Sequence, residues 1–411
     1  MGQQLALWTR IGFIVSGLFL AALVLTSSLY MPSVITESYK SLYTLSSIAA
    51  LILSSYLIGE ALYIAPAVLE ILLGFLGSLA GIEPVEVVDV LALVGSVVLM
   101  FSAGSEIDIS LLRRYLVRSL IVGLISFLVP MTTTSIVLLA LGYRFIEAIL
   151  TGIGVSTTSV AVVYAIVKRS SMLNEKGQLV LASAMVVDLL SIIALVSVVL
   201  EASSLVALYA ASMLIIPPVF AKLFNYIPES MHEAEIRLIM ALLLAITLFS
   251  EAVGIHAVLF AFILGMAFSG IIKERRGLSE KVSGLVFGFL SPIFFVTAGL
   301  RVKVSGITEA LLLSLIVLLA SYPAKIVATH YSLRKLLGMS DKRQSIVFGA
   351  RLTVSTIIAY MGYVRGLLPG ELAASIMLSA IVATLISGIL AGWKTVEESV
   401  EAEEEAILPM E

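Results

Sequence analysis

The sequence predicts an all-α polytopic membrane protein of about 14 transmembrane helices, built as two inverted-topology six-helix repeats with two unwound helices that cross. Three observations predict it. The chain is 60% hydrophobic and 13% charged, with a mean hydropathy of +1.11. Its apolar residues fall into runs of about 20, the length that spans a bilayer as a helix. Two of those runs are interrupted by small polar residues, at Ser156-Thr157-Thr158-Ser159 and between Gly349 and Thr356.

The runs stand at 7–30, 41–62, 65–81, 86–104, 113–142, 145–168, 177–201, 203–225, 233–252, 254–271, 281–300, 307–335, 343–365 and 370–392. The third and tenth are short, which leaves 13 as the alternative count. The first run lacks a convincing cleavage site and reads as a true span. Charge sets the orientation. With the N-terminus in the cytoplasm, that side collects Arg113, Arg114, Lys168, Arg169, Lys273, Arg275, Arg276, Arg334, Lys335, Lys342 and Arg343, among others. The opposite side receives Lys40, Arg144, Arg301, Lys303 and Arg365, so the positive-inside rule is satisfied. Both termini are then cytoplasmic, and residues 394–411 form an acidic tail.

Composition also excludes. The absence of Cys removes disulfides and thiolate metal sites, and three His leave little for a metal cluster. No phosphate-binding glycine loop and no nucleophile–base pair is visible, so no enzyme, no cofactor and no nucleic-acid partner are expected.

A weak internal repeat recurs at an offset of about 190 residues. Ala67-Val68-Leu69 with Gly74 recurs as Ala257-Val258-Leu259 with Gly265. Ser102-Ala103-Gly104 with Ile107, Ile109 and Ser110 recurs as Thr297-Ala298-Gly299 with Val302, Val304 and Ser305. The partners lie an odd number of spans apart, so their orientations are opposite, as in secondary transporters. The expected divisions are 1–40 (an additional helix and loop), 41–202 (first repeat), 203–231 (linking helix), 232–393 (second repeat) and 394–411 (tail).

Charge inside the spans carries the chemistry. Asp188 sits within the run at 177–201. A carboxylate at that depth is costly and is retained either as a hydrogen-bond acceptor for a neighbouring helix or as an ion site. Low dielectric penalises the bare charge, so as an ion site the group holds a cation or a proton, and the two compete. Thr158 and Ser159 in the adjacent break offer a carbonyl and a hydroxyl, and Ser183 and Ser191 flank Asp188 on its own helix. Hard oxygen ligands of this kind suit Na⁺ or another alkali ion. Lys325, just after Pro323, either reaches an interface, stabilises the crossing or titrates. Arg351 reads as a clamp on half-helix carbonyls. Glu70, Glu251 and His256 read as structural or helix-end groups, and Glu106, Asp108, Arg113 and Arg114 as an interfacial charge cluster.

Further motifs are PAVLEILLG at 66–74, FSAGSEIDISLLRR at 101–114, TTSVAVV at 157–163, the run ending VVD at 188, GIHAVLFAFILG at 254–265 and SPIFFVTAGLRV at 291–302. In their order and spacing the chain resembles the monovalent cation:proton antiporter superfamily, in the branch of bacterial sodium/proton antiporters and the membrane parts of potassium efflux systems. The resemblance covers roughly residues 45 to 390. It implies that Asp188 is the essential ion-binding carboxylate, that TTSV is an unwound helix, and that Lys325 lies near the ion site. It also implies a homodimer in which spans two to four and nine to eleven form a scaffold, spans five to seven and twelve to fourteen form a moving core, and the first span adds to the interface. This chain departs from the family in having Val187 before Asp188, where several relatives have a second acid or Asn. Ser159 and Leu352-Thr353 also stand where some relatives carry acids. One acid points to one-for-one, electroneutral exchange.

The expected function is exchange of Na⁺ (or Li⁺ or K⁺) for H⁺ at Asp188, with elevator-like alternating access, in the plasma membrane. The alternative is a potassium efflux pathway regulated by a separate subunit. An organic-anion symporter and a non-transporting sensor stay open beside them.

Overall fold

A backbone group in hydrocarbon has no water to bond, so a long apolar run becomes a helix. The computed structural model describes residues 2–30, 37–62, 64–107, 109–160, 163, 175–199, 215–222, 224, 232–253, 257–302, 306–340 and 342–390. These are helical in every predicted run that they cover, with no strand among them. The second half of the run at 145–168, most of the run at 203–225, Asp108, His256 and the acidic tail lie outside them.

The principal helices are α1 (Gly2–Tyr30), α2 (Glu37–Leu62), α3 (Pro66–Leu79), α4 (Glu86–Glu106), α5 (Leu116–Ala140), α6 (Phe145–Ser156) and α7 (Glu175–Val199), then α8 (His232–Val253), α9 (Ala257–Glu274), α10 (Arg276–Leu285), α11 (Ser291–Arg301), α12 (Ile307–Leu337), α13 (Thr353–Val364) and α14 (Gly370–Leu390). Among the described residues, nine helical segments are long and apolar enough to cross a membrane. Pro66–Leu79, Phe145–Ser156 and Phe260–Ile272 are apolar but shorter. The run predicted at 281–300 is composite: α10 passes through a π-helical turn, Val286–Leu290, into α11.

Packing divides the helices into two groups. The first comprises α1–α4 and α8–α11, with α4 along α9, α3 along α11 and α1 along α2. The second comprises α5–α7 and α12–α14, with α5 against α6, α7 and α12, and α12 against α14. α5 and α12 each carry an internal proline, Pro130 and Pro323.

Glycines let helices of the first group touch at their backbones. A Cβ on Gly104 would collide with the Phe262 carbonyl, and one on Gly265 with the Phe101 carbonyl. α3 and α11 repeat the device, with Gly74 against Val296 and Gly299 against Ile71. Small residues let membrane helices approach at backbone distance, where dispersion is strongest. Gly265→Val is therefore expected to destabilise the protein by about 1–3 kcal/mol through overpacking. Gly270 is the control: it lies in the same helix, and a Cβ added there would meet nothing within 4 Å. Thermal unfolding in detergent checks this; equal midpoints for Gly265→Val and Gly270→Val would disprove the seam.

Candidate functional site

α6 stops because its sequence changes from apolar residues to hydroxyls. Thr157 turns extended, with φ −64° and ψ 165°, and the chain stays non-helical through Ser159. The second interrupted run does the same. A short helix, Lys342–Ile346, tightens into a 3₁₀ turn at Val347–Gly349, and α13 starts at Thr353. Between them, Ala350-Arg351-Leu352 is extended or irregular.

The two breaks cross and bond to each other. Ser159 N–H donates to the Ala350 carbonyl at 2.8 Å. Thr158 Oγ1 donates to the Phe348 carbonyl at 3.1 Å. The Thr157 and Ser355 hydroxyls pair at 2.7 Å, and Ser355 Oγ donates to the Gly154 carbonyl at 2.7 Å. Thr384 of α14 serves the second break, accepting from Arg351 N–H at 3.0 Å and donating to Arg351 C=O at 2.8 Å.

Two basic side chains meet the C-terminal end of α6, where carbonyls lack intrahelical partners and the helix dipole is negative. Lys325 Nζ donates to the Ser156 carbonyl at 2.5 Å and to the Ser126 carbonyl at 3.4 Å. Arg351 Nη1 donates to the Val155 carbonyl and Nη2 to Ser321 Oγ. Both side chains are 0% exposed, so Lys325 does not reach an interface.

Asp188 faces this crossing from α7. It is 6% exposed, and its Oδ1 is buried with no hydrogen-bond partner. The backbone N–H groups of Thr158 and Val160 and the charges of Lys325 and Glu106 act on its carboxylate. Asp188 lines a cavity of about 50 Å³ with Thr157, Thr158, Ser159 and Val160 of the first break and Leu352, Thr353 and Val354 of the second. Leu99, Ala103, Glu106 and Phe287 close it from the first helix group. That volume holds a few water-sized groups.

The structure thus brings Asp188, Thr158 and Ser159 to one cavity, with Lys325 and Arg351 behind it at the crossing. Ser183 is not brought there. It is fully buried, and its hydroxyl donates to the Leu179 carbonyl at 2.8 Å on its own helix; Ser191 does the same to Val187 at 2.7 Å. Glu70 is buried on α3, away from the cavity lining. Glu106, which reads in sequence as part of a surface charge cluster, lines the cavity with Asp188. Its place at the last turn of an apolar run hid it, because span-end acids are ordinarily solvated. Among the described residues no three His, Cys, Asp or Glu are grouped as a metal site.

Thr158→Val would remove the bond to Phe348 while keeping the shape. The expected cost is about 1 kcal/mol of stability. Thermal unfolding checks this, and an unchanged midpoint would contradict it.

The profile of the family described as "Sodium/hydrogen exchanger, transmembrane" matches residues 45–395. The chain is 30% identical over 322 residues to "Probable Na(+)/H(+) antiporter 3" of Methanocaldococcus jannaschii, covering 73% of this chain and 82% of that protein. It is 26% identical over 349 residues to "Na(+)/H(+) antiporter" of Enterococcus hirae, covering 79% and 90%. Its fold is similar to that of the sodium proton antiporter MjNhaP1 from M. jannaschii, with a TM-score of 0.67 at 18% identity, covering 90% of this chain and 99% of that one.

Proposed function

The chain belongs to the sodium/hydrogen exchanger family, and on that premise we propose that it exchanges Na⁺ for H⁺ across the membrane, with both ions competing for Asp188. The observation that carries this reading is the buried, unpartnered Asp188 Oδ1 facing a small cavity beside two crossed helix breaks. Thr158 and Ser159 supply further oxygens at the same wall, whereas Ser183, bonded back to Leu179, does not take part. Na⁺ is here the cargo. Lys325 and Arg351 hold the end of α6 and so position the first break. The names of the M. jannaschii and E. hirae relatives support the ion pair Na⁺ and H⁺.

The packing supports an inverted repeat. The residue matches that pair Gly74 with Gly265 and Gly104 with Gly299 also exchange the α3–α11 seam for the α4–α9 seam. The first helix group is then the scaffold and the second the moving core, which exposes Asp188 to each side in turn. A homodimer through the scaffold and the α1–α2 pair completes the reading. It lies in the plasma membrane, with both termini cytoplasmic, and the basic Arg113-Arg114 side, which follows the Glu106 end of α4, is then the cytoplasmic one.

Proteoliposomes test this. A Na⁺ gradient is expected to drive proton movement in the opposite direction. With one carboxylate alternating between Na⁺ and H⁺, the rate is expected to be insensitive to a clamped membrane potential. No Na⁺-linked proton flux would overturn the reading, and a potential-dependent rate would overturn its one-for-one stoichiometry.

A further inference from the structure

The Asp188 cavity is asymmetric in a way the exchange reaction alone does not require. Its inner wall belongs to the second helix group. Its outer wall belongs to the first, which contributes Leu99, Ala103, Phe287 and a single charged residue, Glu106. Glu106 is exposed and Asp188 is 6% exposed, so the two carboxylates stand in series, one at the mouth and one at the floor. Both line the same cavity of about 50 Å³.

The surroundings of Glu106 add to its negative potential. It is the last residue of α4, a 21-residue helix whose C-terminal end carries partial negative charge. Its neighbour Ile107 is extended, so the chain leaves the helix at the cavity edge. The chain then enters the basic segment Arg113-Arg114, with the Arg114 guanidinium 5.3 Å from the Tyr115 ring centroid. Such a basic face repels an approaching cation. The same wall carries an apolar group: Phe287, 52% exposed, on the π-helical turn at Val286–Leu290. An ion entering the cavity therefore passes an apolar group and one carboxylate.

We propose that Glu106 is a recruiting residue that draws a partly hydrated monovalent cation into the cavity mouth and hands it to Asp188, and that it serves one face of the membrane only. The one-sidedness follows from packing: Glu106 is fixed to the scaffold, whereas Asp188 travels with the core. The inference rests on the exchange reading above.

The experiment uses the full-length protein in uniformly oriented proteoliposomes, with Na⁺ presented to one face at a time. For Glu106→Gln, the KM for Na⁺ at the Arg113-Arg114 face is expected to rise about tenfold, the scale on which a charged cleft concentrates a counter-ion. Maximal rate and the KM at the other face are expected to match the wild type. Glu106→Asp is expected to restore most of the affinity. Raising ionic strength with choline chloride is expected to shrink the gap between wild type and Glu106→Gln, because screening acts on exposed charge. An unchanged KM at both faces, an equal rise at both faces, or a fall in maximal rate alone would overturn the role of Glu106. The controls separate the two ideas. A silent wild type, or an Asp188→Asn variant that exchanges normally, would overturn the exchange reading and this inference with it. A working wild type with a dead Asp188→Asn and a normal Glu106→Gln would overturn only the latter.

Discussion

Asp188→Asn is expected to abolish Na⁺-driven proton movement while leaving the protein folded. Asn matches Asp in shape, and its carbonyl oxygen can accept from the same backbone N–H groups of Thr158 and Val160 that face Asp188. What it lacks is charge and a titrating proton. A unit charge about 4 Å from a bound cation is worth about 4 kcal/mol at an effective dielectric of 20. Each 1.4 kcal/mol is tenfold in affinity, so Na⁺ binding is expected to fall by about a thousandfold. Proton carriage through this group ends altogether. Asp188→Glu is expected to keep partial activity with altered affinity, because the charge remains but one more methylene must fit a cavity of about 50 Å³. Ion-dependent proton flux and thermal unfolding are measured on the same preparations. A folded Asp188→Asn that exchanges at the wild-type rate would remove Asp188 from the mechanism.

Much of this architecture was legible in the residues. The apolar runs become helices because the bilayer leaves the backbone no other choice. The hydroxyl cluster at 156–159 and the small residues at 349–356 mark the two places where helices stop, and both do stop there. Asp188 was conspicuous because a carboxylate in a run of Val, Leu and Ile is costly and must be retained for a hydrogen bond or an ion. What stayed hidden depended on direction. Ser183 lies within two turns of Asp188, yet it bonds back to Leu179, and spacing alone does not reveal which face of a buried helix meets the cavity. Glu106 was obscured by the opposite problem. Its carboxylate ends a span, where hydropathy makes acids unremarkable, and only the fold brings it to the wall of the Asp188 cavity. The reciprocal glycine contacts were visible only as matched residues, since a repeat in sequence does not say which copies touch.

The crossing itself depends on Arg351, and Arg351→Met is expected to cause the largest loss of stability. The guanidinium is 0% exposed and donates to the Val155 carbonyl and to Ser321 Oγ, while its Nε has no partner. A buried cation is tolerated there because it meets the negative end of α6. Methionine keeps the length and bulk but leaves the Val155 carbonyl without its charged donor. Hydrogen bonds to charged groups are each worth about 1.5–3 kcal/mol, and part of that is offset by no longer burying a charge. A net loss of roughly 3 kcal/mol follows. Exchange is expected to fall as well, because Leu352, Thr353 and Val354, the residues that follow Arg351, form one wall of the cavity. Arg351→Lys retains the charge but a single point of donation, and is expected to recover part of the stability. It also keeps the test decisive if Arg351→Met does not fold. Lys325 does not substitute, since its amine is already committed to the Ser156 carbonyl one residue further along the same helix end. If Arg351→Met unfolds at the wild-type temperature and exchanges at the wild-type rate, the end of α6 does not need the guanidinium, and the crossing is held by Lys325 and by its hydroxyl and backbone bonds.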